Sequence, residues 1–357
     1  MKRANLGYPQ KLSLFRTLFD DEAGDFAGAG FADPLLLLAL ARMDFLRSHE
    51  KMLLAGTADS REALLALRTS DVEAIVLRNV KQECWQPRSY WEKALRDSEL
   101  FAARGIEFVS IADPRYPPQL REVYRPPFGL YLRGSLPDPE VPAVGVVGTR
   151  VPTGRGLHAA FVLASELSAK GVCVISGLAR GIDAAAHRGA LKGPGKTVAV
   201  LPGGIETIYP SSNKVLAASI IDFGGALVTE YPPCSRIQRY RFPERNRIIA
   251  GLSRSCVVVE APIGSGALIT ADHALTEGRD VFVHGACIGG SRDSGAMALA
   301  SQGAGIVNNA QDLFREWAAR GALRGETGCG GSQEAREGMS LRFGYSERMR
   351  ACGATLS

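Results

Sequence analysis

The chain has 357 residues, of which 46% are hydrophobic and 22% charged, and its formal net charge is +5. This length predicts two or three domains, and the composition is that of an ordinary globular protein with room for a sizeable core. Its seven cysteines are scattered and form no Cys-x-x-Cys pair, which argues against a zinc site or a disulfide framework and favours a reducing compartment.

The N-terminal part of the sequence predicts no export signal and no membrane segment. Its first ten residues lack the apolar core of a signal peptide. The most apolar run, 35–41, is much shorter than the about 20 residues that span a bilayer. We therefore expect a cytoplasmic protein.

The first hundred residues divide into a variable segment, 1–32, and a helical region, 33–104. Asp33 and Pro34 suit the N-cap and the first position of a helix. Apolar residues then recur at helical spacing between Leu64 and Val76. Residues 105–142 contain eight prolines, which predicts an extended, turn-rich segment leading into the next domain.

Short apolar runs alternate with helical stretches from 143 to 320. The runs are 144–147, 172–175, 197–201, 226–229, 256–259 and 280–283. A nearly continuous apolar run predicts a strand buried on both faces, as in a parallel sheet covered by helices. The alternation predicts a doubly wound α/β domain with a mostly parallel sheet. The remaining residues, 321–357, are Gly-rich and polar, and we expect a mostly disordered tail.

The segment 234–254 is the most basic part of the chain. It holds six arginines against one glutamate, a local balance of +5 that equals the net charge of the whole protein. Guanidinium groups bind phosphates through paired hydrogen bonds and also stack on bases. Tyr240 and Phe242 lie among these arginines as candidate stacking surfaces. The alternative is a solvated charged turn, which most charge runs are.

Four of the loops that follow predicted strands contain residues suited to phosphate. Ligands of open parallel sheets bind at the carboxyl ends of the strands. The first loop has Gly148 and Arg150, and Thr153 can cap the next helix, whose N-terminus attracts anions. The other three loops are 176–183, 201–213 and 262–270. Glycine after a parallel strand also serves packing, so the interpretation depends on the repetition of the pattern.

Nucleotide cofactors and metals are not expected. The segment 190–197 nearly matches a P-loop, but it precedes a strand, whereas a P-loop follows one. The segment 154–159 loosely fits G-x-G-x-x-A, but the second strand ends without the acidic residue that would hold a ribose. Asp183 and His187 are one helical turn apart, and we favour a structural role for both over a metal or acid–base pair.

Five motifs follow one another in a characteristic order. They are Gly148-Thr-Arg150, Ser176-Gly-Leu-Ala-Arg-Gly-Ile-Asp183, Tyr209-Pro-Ser-Ser-Asn213, Phe242-Pro-Glu-Arg-Asn-Arg-Ile-Ile-Ala-Gly-Leu-Ser253 and Gly264-Ser-Gly-Ala-Leu-Ile-Thr-Ala271. Together they resemble the DNA-processing protein A family, also called DprA or Smf. The resemblance implies an extended Rossmann-like domain preceded by a small sterile-alpha-motif-like (SAM-like) helical domain.

The same resemblance implies a function without catalysis and without a cofactor. Members of the family bind single-stranded DNA, protect incoming strands during natural transformation, load the RecA recombinase onto them, and form homodimers. Two features depart from the family. The Gly-rich tail predicts no winged-helix domain such as many relatives have, and His284-Gly285 stands where the family usually shows Pro-Gly.

The resemblance and the loop chemistry together predict a DNA-binding surface. Arg150 is the expected principal phosphate contact and Lys214 a second cation, while Phe242 and Tyr209 are expected to stack on bases. Arg245 and Arg247 either contact DNA or brace the surface by pairing with an acidic residue such as Glu230 or Glu260. The predicted DNA-binding residues are Gly148, Thr149, Arg150, Ser176, Gly177, Arg180, Gly181, Gly203, Gly204, Tyr209, Asn213, Lys214, Phe242, Arg245, Asn246, Arg247, Gly264, Ser265 and Gly266.

Two alternatives remain open at this point. Pro202-Gly-Gly-Ile-Glu-Thr207 is similar to the Pro-Gly-Gly-x-Gly-Thr motif of nucleotide phosphoribohydrolases, which would make the protein an enzyme. Glu206 replaces the last glycine of that motif, and the arginine-rich segment is foreign to those enzymes. The other alternative is a scaffold for recombination proteins, with only incidental affinity for DNA.

Overall fold

The computed structural model describes residues 33–326. The predicted variable segment 1–32 and most of the predicted tail therefore lie outside the described residues. Among the helices between 33 and 326, none is long and apolar enough to cross a membrane.

Five helices and one short 3₁₀ turn form the region before the sheet. They are α1 (Pro34–Ala41), α2 (Ser48–Thr57), α3 (Arg61–Ala66), α4 (Thr69–Val76), the 3₁₀ turn Gln82–Cys84, and α5 (Pro87–Arg104). The predicted N-cap is present, because the Asp33 carboxylate accepts a hydrogen bond from the Leu35 amide at 2.9 Å. Helix α5 ends at Gly105, which adopts the left-handed conformation that favours glycine (φ +58°).

Nine strands form one sheet within the described chain. They are β1 (Glu107–Ser110), β2 (Gly129–Gly134), β3 (Ala143–Val147), β4 (Cys173–Ser176), β5 (Thr197–Val200), β6 (Ala226–Thr229), β7 (Ser255–Val258), β8 (Asp280–His284) and β9 (Gly305–Val307). Their order is β1-β2-β6-β5-β4-β3-β7-β8-β9. In this spatial order, the seven strands β6-β5-β4-β3-β7-β8-β9 are all parallel to their neighbours. Strand β2 pairs antiparallel with both β6 and β1. The predicted doubly wound, mostly parallel α/β sheet is confirmed.

The helices that connect these strands cover both faces of the sheet, as a doubly wound order requires. They are α6 (Pro118–Arg121), α7 (Gly154–Ala169), α8 (Ile182–Ala190), α9 (Lys214–Asp222), α10 (Arg241–Leu252), α11 (Gly266–Thr276) and α12 (Ser294–Ser301). Short 3₁₀ turns occur at Ser211–Asn213 and Gly285–Cys287. The last described helix, α13 (Ala310–Glu326), runs six residues past the end predicted for the domain at 320.

Three strands were missed by the sequence analysis. Strands β1 and β2 lie in the Pro-rich segment that was predicted to be an extended connector, and its prolines fall between and after them. Tyr131 of β2 is fully buried, with its ring centroid 4.9 Å from that of Phe108 and 5.8 Å from that of Phe101. Strand β9 is only three residues long and too short to give a clear apolar pattern.

The helical region packs against the first strands and against the loop after β6. Arg42 pairs with the buried Asp97 and also donates a hydrogen bond to the Pro233 carbonyl at 3.2 Å. The ammonium group of Lys51 is buried 5.4 Å from the ring centroid of Phe128, and burial lowers its pKa to about 8. These contacts tie the helices to the end of the sheet where β2 and β6 are neighbours.

The strand order reverses between β3 and β7, which lie side by side although they are far apart in sequence. At such a point the loops at the carboxyl ends of the two strands diverge and leave a crevice. Five loops reach this edge of the sheet, and we number them in chain order. Loop 1 is 148–153, loop 2 is 177–181, loop 3 is 201–210, loop 4 is 230–240 and loop 5 is 259–265.

The close contact of α7 with α8 generates a stability prediction. A side chain at Gly189 would collide with the backbone carbonyl of Phe161 on α7. We expect Gly189→Ala to lower the free energy of unfolding by about 1–3 kcal/mol, because the two helices must move apart. Gly154→Ala is the matched control, since Gly154 begins α7 and faces open space. Urea denaturation of both variants measures the difference, and equal stabilities would contradict the close packing.

Candidate nucleic-acid interface

One cation and two aromatic rings from two loops and the start of α10 meet at the carboxyl edge of the sheet. The guanidinium carbon of Arg150, in loop 1, lies 4.9 Å from the ring centroid of Phe242 in the first turn of α10. Tyr209, in loop 3, packs edge-on against Phe242 with 5.7 Å between the ring centroids. Arg150 is exposed, and 48% of Tyr209 is accessible to solvent. We call these three residues the Arg150 stack.

Two more exposed cations lie on neighbouring elements of this edge. Arg180 is in loop 2, and Lys214 is the first residue of α9. Within residues 33–320, no ion pair neutralises either of them or Arg150. The three side chains therefore keep their charge and their hydrogen-bond donors available for an anionic ligand.

Loop 1 is held in place by Glu260 of loop 5. The Thr149 amide donates a hydrogen bond to the Glu260 carbonyl at 2.7 Å, and the buried Glu260 carboxylate accepts one from the Thr153 amide at 2.9 Å. Thr153 in turn caps α7, as predicted, by accepting a hydrogen bond from the Gly156 amide. Gly148 packs so closely on Ile182 and on loop 5 that no side chain fits there. These contacts fix the backbone of loop 1, from which Arg150 projects towards Phe242.

Loop 2 is held from below by Asp183. Its carboxylate accepts hydrogen bonds from the amides of Gly177 and Ala179, at 3.1 and 3.3 Å. Burial raises the pKa of Asp183, and the nearby Arg245 opposes that shift. The predicted structural role of Asp183 therefore has a clear physical basis. Gly181, with φ +81°, lets the chain pass close to the Thr149 carbonyl and into α8.

Two further predicted DNA-binding residues of this region point inward. Asn213 is buried and donates a hydrogen bond to the Leu178 carbonyl at 2.9 Å. Ser176 is fully buried and donates one to the Val146 carbonyl at 2.6 Å. Their side chains stabilise the backbone through these hydrogen bonds, whereas Arg180 is the exposed side chain of loop 2.

Arg245 and Arg247 brace the surface. Only 4% of Arg245 is exposed; it donates to the Val200 carbonyl at 2.8 Å and fills the space beside Gly177. Burial lowers the pKa of Arg245 to about 10. Arg247 pairs with Glu230, as one of the two sequence interpretations anticipated, and donates to the Arg125 carbonyl at 2.8 Å.

The two predicted glycines of loop 3 lie beneath loop 4. The Gly204 amide donates a hydrogen bond to the Ser235 carbonyl at 3.0 Å. A side chain at Gly203 would come within 2.8 Å of Ile237, and one at Gly204 within 2.9 Å of the Cys234 amide. Both glycines are buried, so loop 4 needs them for its own packing.

Loop 5 presents the start of α11 to solvent. Gly264 has φ +83° and is exposed, as is Gly266, around which a side chain would meet open space. Ser265 caps the helix by accepting a hydrogen bond from the Ala267 amide. The buried Asn246 donates to the Gly266 carbonyl at 3.2 Å and so fixes this turn from below.

The structure thus separates the predicted site residues into an outer and an inner set. Exposed at the edge are Arg150, Arg180, Tyr209, Lys214, Gly264 and Gly266, and Phe242 is half-buried between Arg150 and Tyr209. The inner set positions them. The role of Glu260 in holding loop 1 was not predicted; its place directly after a buried strand, at the reversal of strand order, is the signal that could have identified it.

His187 is fully buried and contacts Thr197 at the start of β5. Its Nδ1 atom lies 2.8 Å from the Thr197 hydroxyl oxygen, and that hydroxyl donates its own proton to the Val174 carbonyl. Nδ1 must therefore carry the imidazole proton. Burial lowers the pKa of His187 to about 3, so the folded protein keeps the ring neutral. Within the described residues, no group of three or more His, Cys, Asp or Glu side chains could hold a metal ion.

Comparison with known proteins shows which family has this sequence pattern. The family model described as DNA recombination-mediator protein A matches residues 107–318. DNA processing protein DprA of Bacillus subtilis (strain 168) is 34% identical over 282 residues, which cover 78% of this chain and 94% of that protein. The DprA protein of Streptococcus pneumoniae (strain ATCC BAA-255 / R6) is 41% identical over 238 residues, 66% of this chain and 83% of that protein.

Solved structures agree with the sequence comparison. The X-ray structure of DNA processing protein A from Streptococcus pneumoniae matches with a TM-score of 0.63 and 31% identity, over 80% of this chain and 98% of that one. The protein of the same name from Helicobacter pylori, described for its single-stranded DNA binding mode, matches with a TM-score of 0.52 and 25% identity, over 60% of this chain and 96% of that one.

The neutral, buried His187 generates a prediction about pH. The unfolded chain takes up this proton below the ordinary pKa of about 6.5, whereas the folded protein does so only near pH 3. The free energy of unfolding therefore falls as the pH drops through this window, by roughly 2 kcal/mol at pH 5 from this group alone.

His187→Asn places an amide N–H at the position of Nδ1, which keeps a donor for Thr197 and removes the titration. We expect the variant to lose about 2 kcal/mol less stability between pH 7 and pH 5 than the wild type. Other titrating groups are common to both proteins and cancel in the comparison. Urea denaturation at the two pH values measures it, and identical losses would show that His187 does not stay neutral in the folded state.

Proposed function

The chain belongs to the DNA recombination-mediator protein A family, and on that premise we propose that it binds single-stranded DNA, protects it, and loads RecA onto it in natural transformation and recombination. The observation that carries the proposal is the Arg150 stack. An exposed guanidinium fixed against a ring, with a second ring beside it, offers both a phosphate contact and a surface for bases.

Phosphate binding is assigned to the exposed cations. Arg150 supplies two parallel N–H donors, a geometry that matches a phosphate group. Arg180 and Lys214 lie on adjacent elements of the same edge, so that successive phosphates of one strand have a cation each. Each neutralised phosphate releases counterions, and the affinity must therefore fall as salt rises.

Preference for single strands follows from the exposed rings. In a duplex, both faces of each base are covered by stacking, and a protein ring cannot reach them without unstacking the helix. A single strand can turn its bases out onto Tyr209 and the accessible part of Phe242. The same contact is largely independent of sequence, because every base has an aromatic face.

We propose binding without catalysis. The Pro-Gly-Gly segment that suggested a phosphoribohydrolase lies beneath loop 4, whose Ser235 and Ile237 occupy the space above Gly203 and Gly204. A nucleotide could not reach the backbone of that turn unless loop 4 moved away. Release of free base from AMP by the purified protein would contradict this part of the proposal.

RecA loading and homodimer formation rest on family membership. The names of the relatives describe DNA processing and recombination mediation, and the proposal extends to this chain the partner expected from the sequence motifs. The DNA surface uses one edge of the sheet and leaves the faces of the outer helices for protein partners. We place the protein in the cytoplasm, where RecA acts.

The first prediction from this proposal concerns DNA affinity. We expect Arg150→Ala to weaken binding to an oligothymidylate at least about tenfold at moderate salt, since it removes a phosphate contact and uncovers Phe242. The slope of log affinity against log salt should become shallower by about 0.7, the value for one single-strand phosphate. Fluorescence anisotropy with a labelled strand measures both, and an equimolar duplex competitor tests the preference.

The control is Arg88→Ala, which removes an exposed arginine from the first turn of α5 in the helical region, outside the five loops. This variant should bind like the wild type. If Arg150→Ala also binds like the wild type, or if the duplex competes as well as a single strand, the proposed DNA surface is wrong.

The second prediction separates RecA loading from scaffolding. If the protein delivers RecA to the strand that it holds, Arg150→Ala should slow RecA filament assembly on protein-coated single strands in proportion to its loss of affinity. RecA-dependent ATP hydrolysis on the coated strand reports the assembly. Normal assembly with a variant that no longer binds DNA would instead favour a scaffold for recombination proteins.

A further inference from the structure

A second aromatic and cationic group lies on the other side of the start of α10. The guanidinium carbon of Arg241 is 4.2 Å from the ring centroid of Tyr231 and 5.8 Å from that of Tyr240. Arg241 donates a hydrogen bond to the Arg236 carbonyl at 2.9 Å, and its Nε atom lies 3.4 Å from the Tyr240 hydroxyl. These contacts hold the guanidinium plane in one orientation.

The three residues differ in exposure in a way that leaves one surface open. Tyr231 is buried and donates its hydroxyl proton to the Glu244 carboxylate at 2.8 Å. Arg241 is half-buried, and 53% of Tyr240 is accessible to solvent. Tyr231 thus lies underneath the other two residues, while the Tyr240 ring and part of the Arg241 guanidinium face outward. An exposed tyrosine ring beside an oriented guanidinium is a surface on which a planar aromatic ligand can stack.

The surroundings favour an anionic ligand. Arg236 and Arg239 are exposed on loop 4 within a few residues of this group, and no ion pair within residues 33–320 neutralises either of them or Arg241. The nearest acidic side chain in sequence, Glu244, is engaged with the Tyr231 hydroxyl. A ligand that combines flat rings with negative charge suits this group of residues. A nucleotide is such a ligand.

This group is continuous with the Arg150 stack. Tyr240, Arg241 and Phe242 are consecutive residues at the start of α10, and successive side chains of a helix point about 100° apart. Phe242 therefore faces loops 1 and 3, while Arg241 faces Tyr231 and loop 4. One strand that crosses the start of α10 would meet both groups in turn.

We propose that Tyr240 and Arg241, supported by Tyr231, form a second nucleobase-binding site, which takes the bases of the same strand beyond those held at the Arg150 stack. Arg236 and Arg239 contact the phosphates between these bases. The inference rests on the proposed single-stranded DNA binding and extends it, because it makes the bound length of strand longer than the Arg150 stack alone can cover.

The competing explanation is that Arg241 only fixes loop 4 through the Arg236 carbonyl. Two variants separate these roles. Tyr240→Ala removes the exposed ring, together with its 3.4 Å contact to Arg241. Arg241→Lys keeps the positive charge and removes the planar group, so it tests stacking and not electrostatics. Gln238→Ala, at an exposed neutral position of the same loop, is the matched control.

The experiment is a length series of labelled oligothymidylates, with binding measured by fluorescence anisotropy at constant salt. For the wild type, we expect affinity to rise again once the strand is long enough to reach the second site. Tyr240→Ala and Arg241→Lys should bind the shortest strands like the wild type and the long strands about tenfold more weakly, the typical effect of losing one stacked base. Gln238→Ala should follow the wild type at all lengths.

A second arm tests for the bases themselves. In a long strand, replacing the thymidines at one end with abasic residues keeps the phosphates and removes the rings. It should weaken binding by the wild type about tenfold and produce no further loss in Tyr240→Ala. If the substitution weakens both proteins equally, or if Tyr240→Ala and Arg241→Lys keep the wild-type length profile, the second site does not exist.

Failure of this inference can be distinguished from failure of the proposed function. Arg150→Ala should weaken binding at every length. If it does so and the loop 4 variants do not change the long strands, single-stranded DNA binding stands and the second site is wrong. If Arg150→Ala has no effect at any length, the proposed DNA surface itself is wrong.

Discussion

The arrangement of loop 2, α10 and the end of β5 at the carboxyl edge of the sheet depends on one buried guanidinium. Arg245 reaches from α10 beneath loop 2, donates to the Val200 carbonyl at the end of β5, and lies near the buried carboxylate of Asp183. Gly177 has no side chain because the guanidinium occupies that space. A buried charge without a partner is costly, so the cation and the carboxylate stabilise each other's burial. Helix α10, strand β5 and the start of α8 are thereby fixed relative to one another.

This arrangement gives the arginine-rich segment two different tasks. Arg245 and Arg247 direct their guanidinium groups into the protein, where both donate hydrogen bonds to backbone carbonyls and Arg247 also pairs with Glu230. Arg239 and Arg236 keep theirs at the surface. By charge alone the whole segment resembled a binding site. Its inward half instead braces loops 2 and 4, and Arg150, which we propose as the principal phosphate contact, comes from loop 1, far away in sequence.

The sequence predicted those features that depend on local pattern. Strands β3 to β8 were identified because each is a short apolar run buried on both faces, and the loops after them were identified from their glycines and polar residues. Strands β1 and β2 were missed because prolines surround them and because β2 pairs with β6, a contact that no local pattern records. The direction of a side chain was also out of reach: Asn213 and Arg180 are both polar loop residues, and only packing turns one inward and the other outward.

The covering of Gly203 and Gly204 by loop 4 has a consequence for the kind of ligand that this edge can hold. A pocket encloses its ligand and so limits its size, and it often recognises a terminus. Here the protein's own chain fills the place where a pocket would form, and the cations and rings lie outside it. A strand laid across such a surface needs no free end, so an internal stretch of a long molecule is held as well as a terminal one. In the function that we propose, the protein therefore binds a strand at any point along its length.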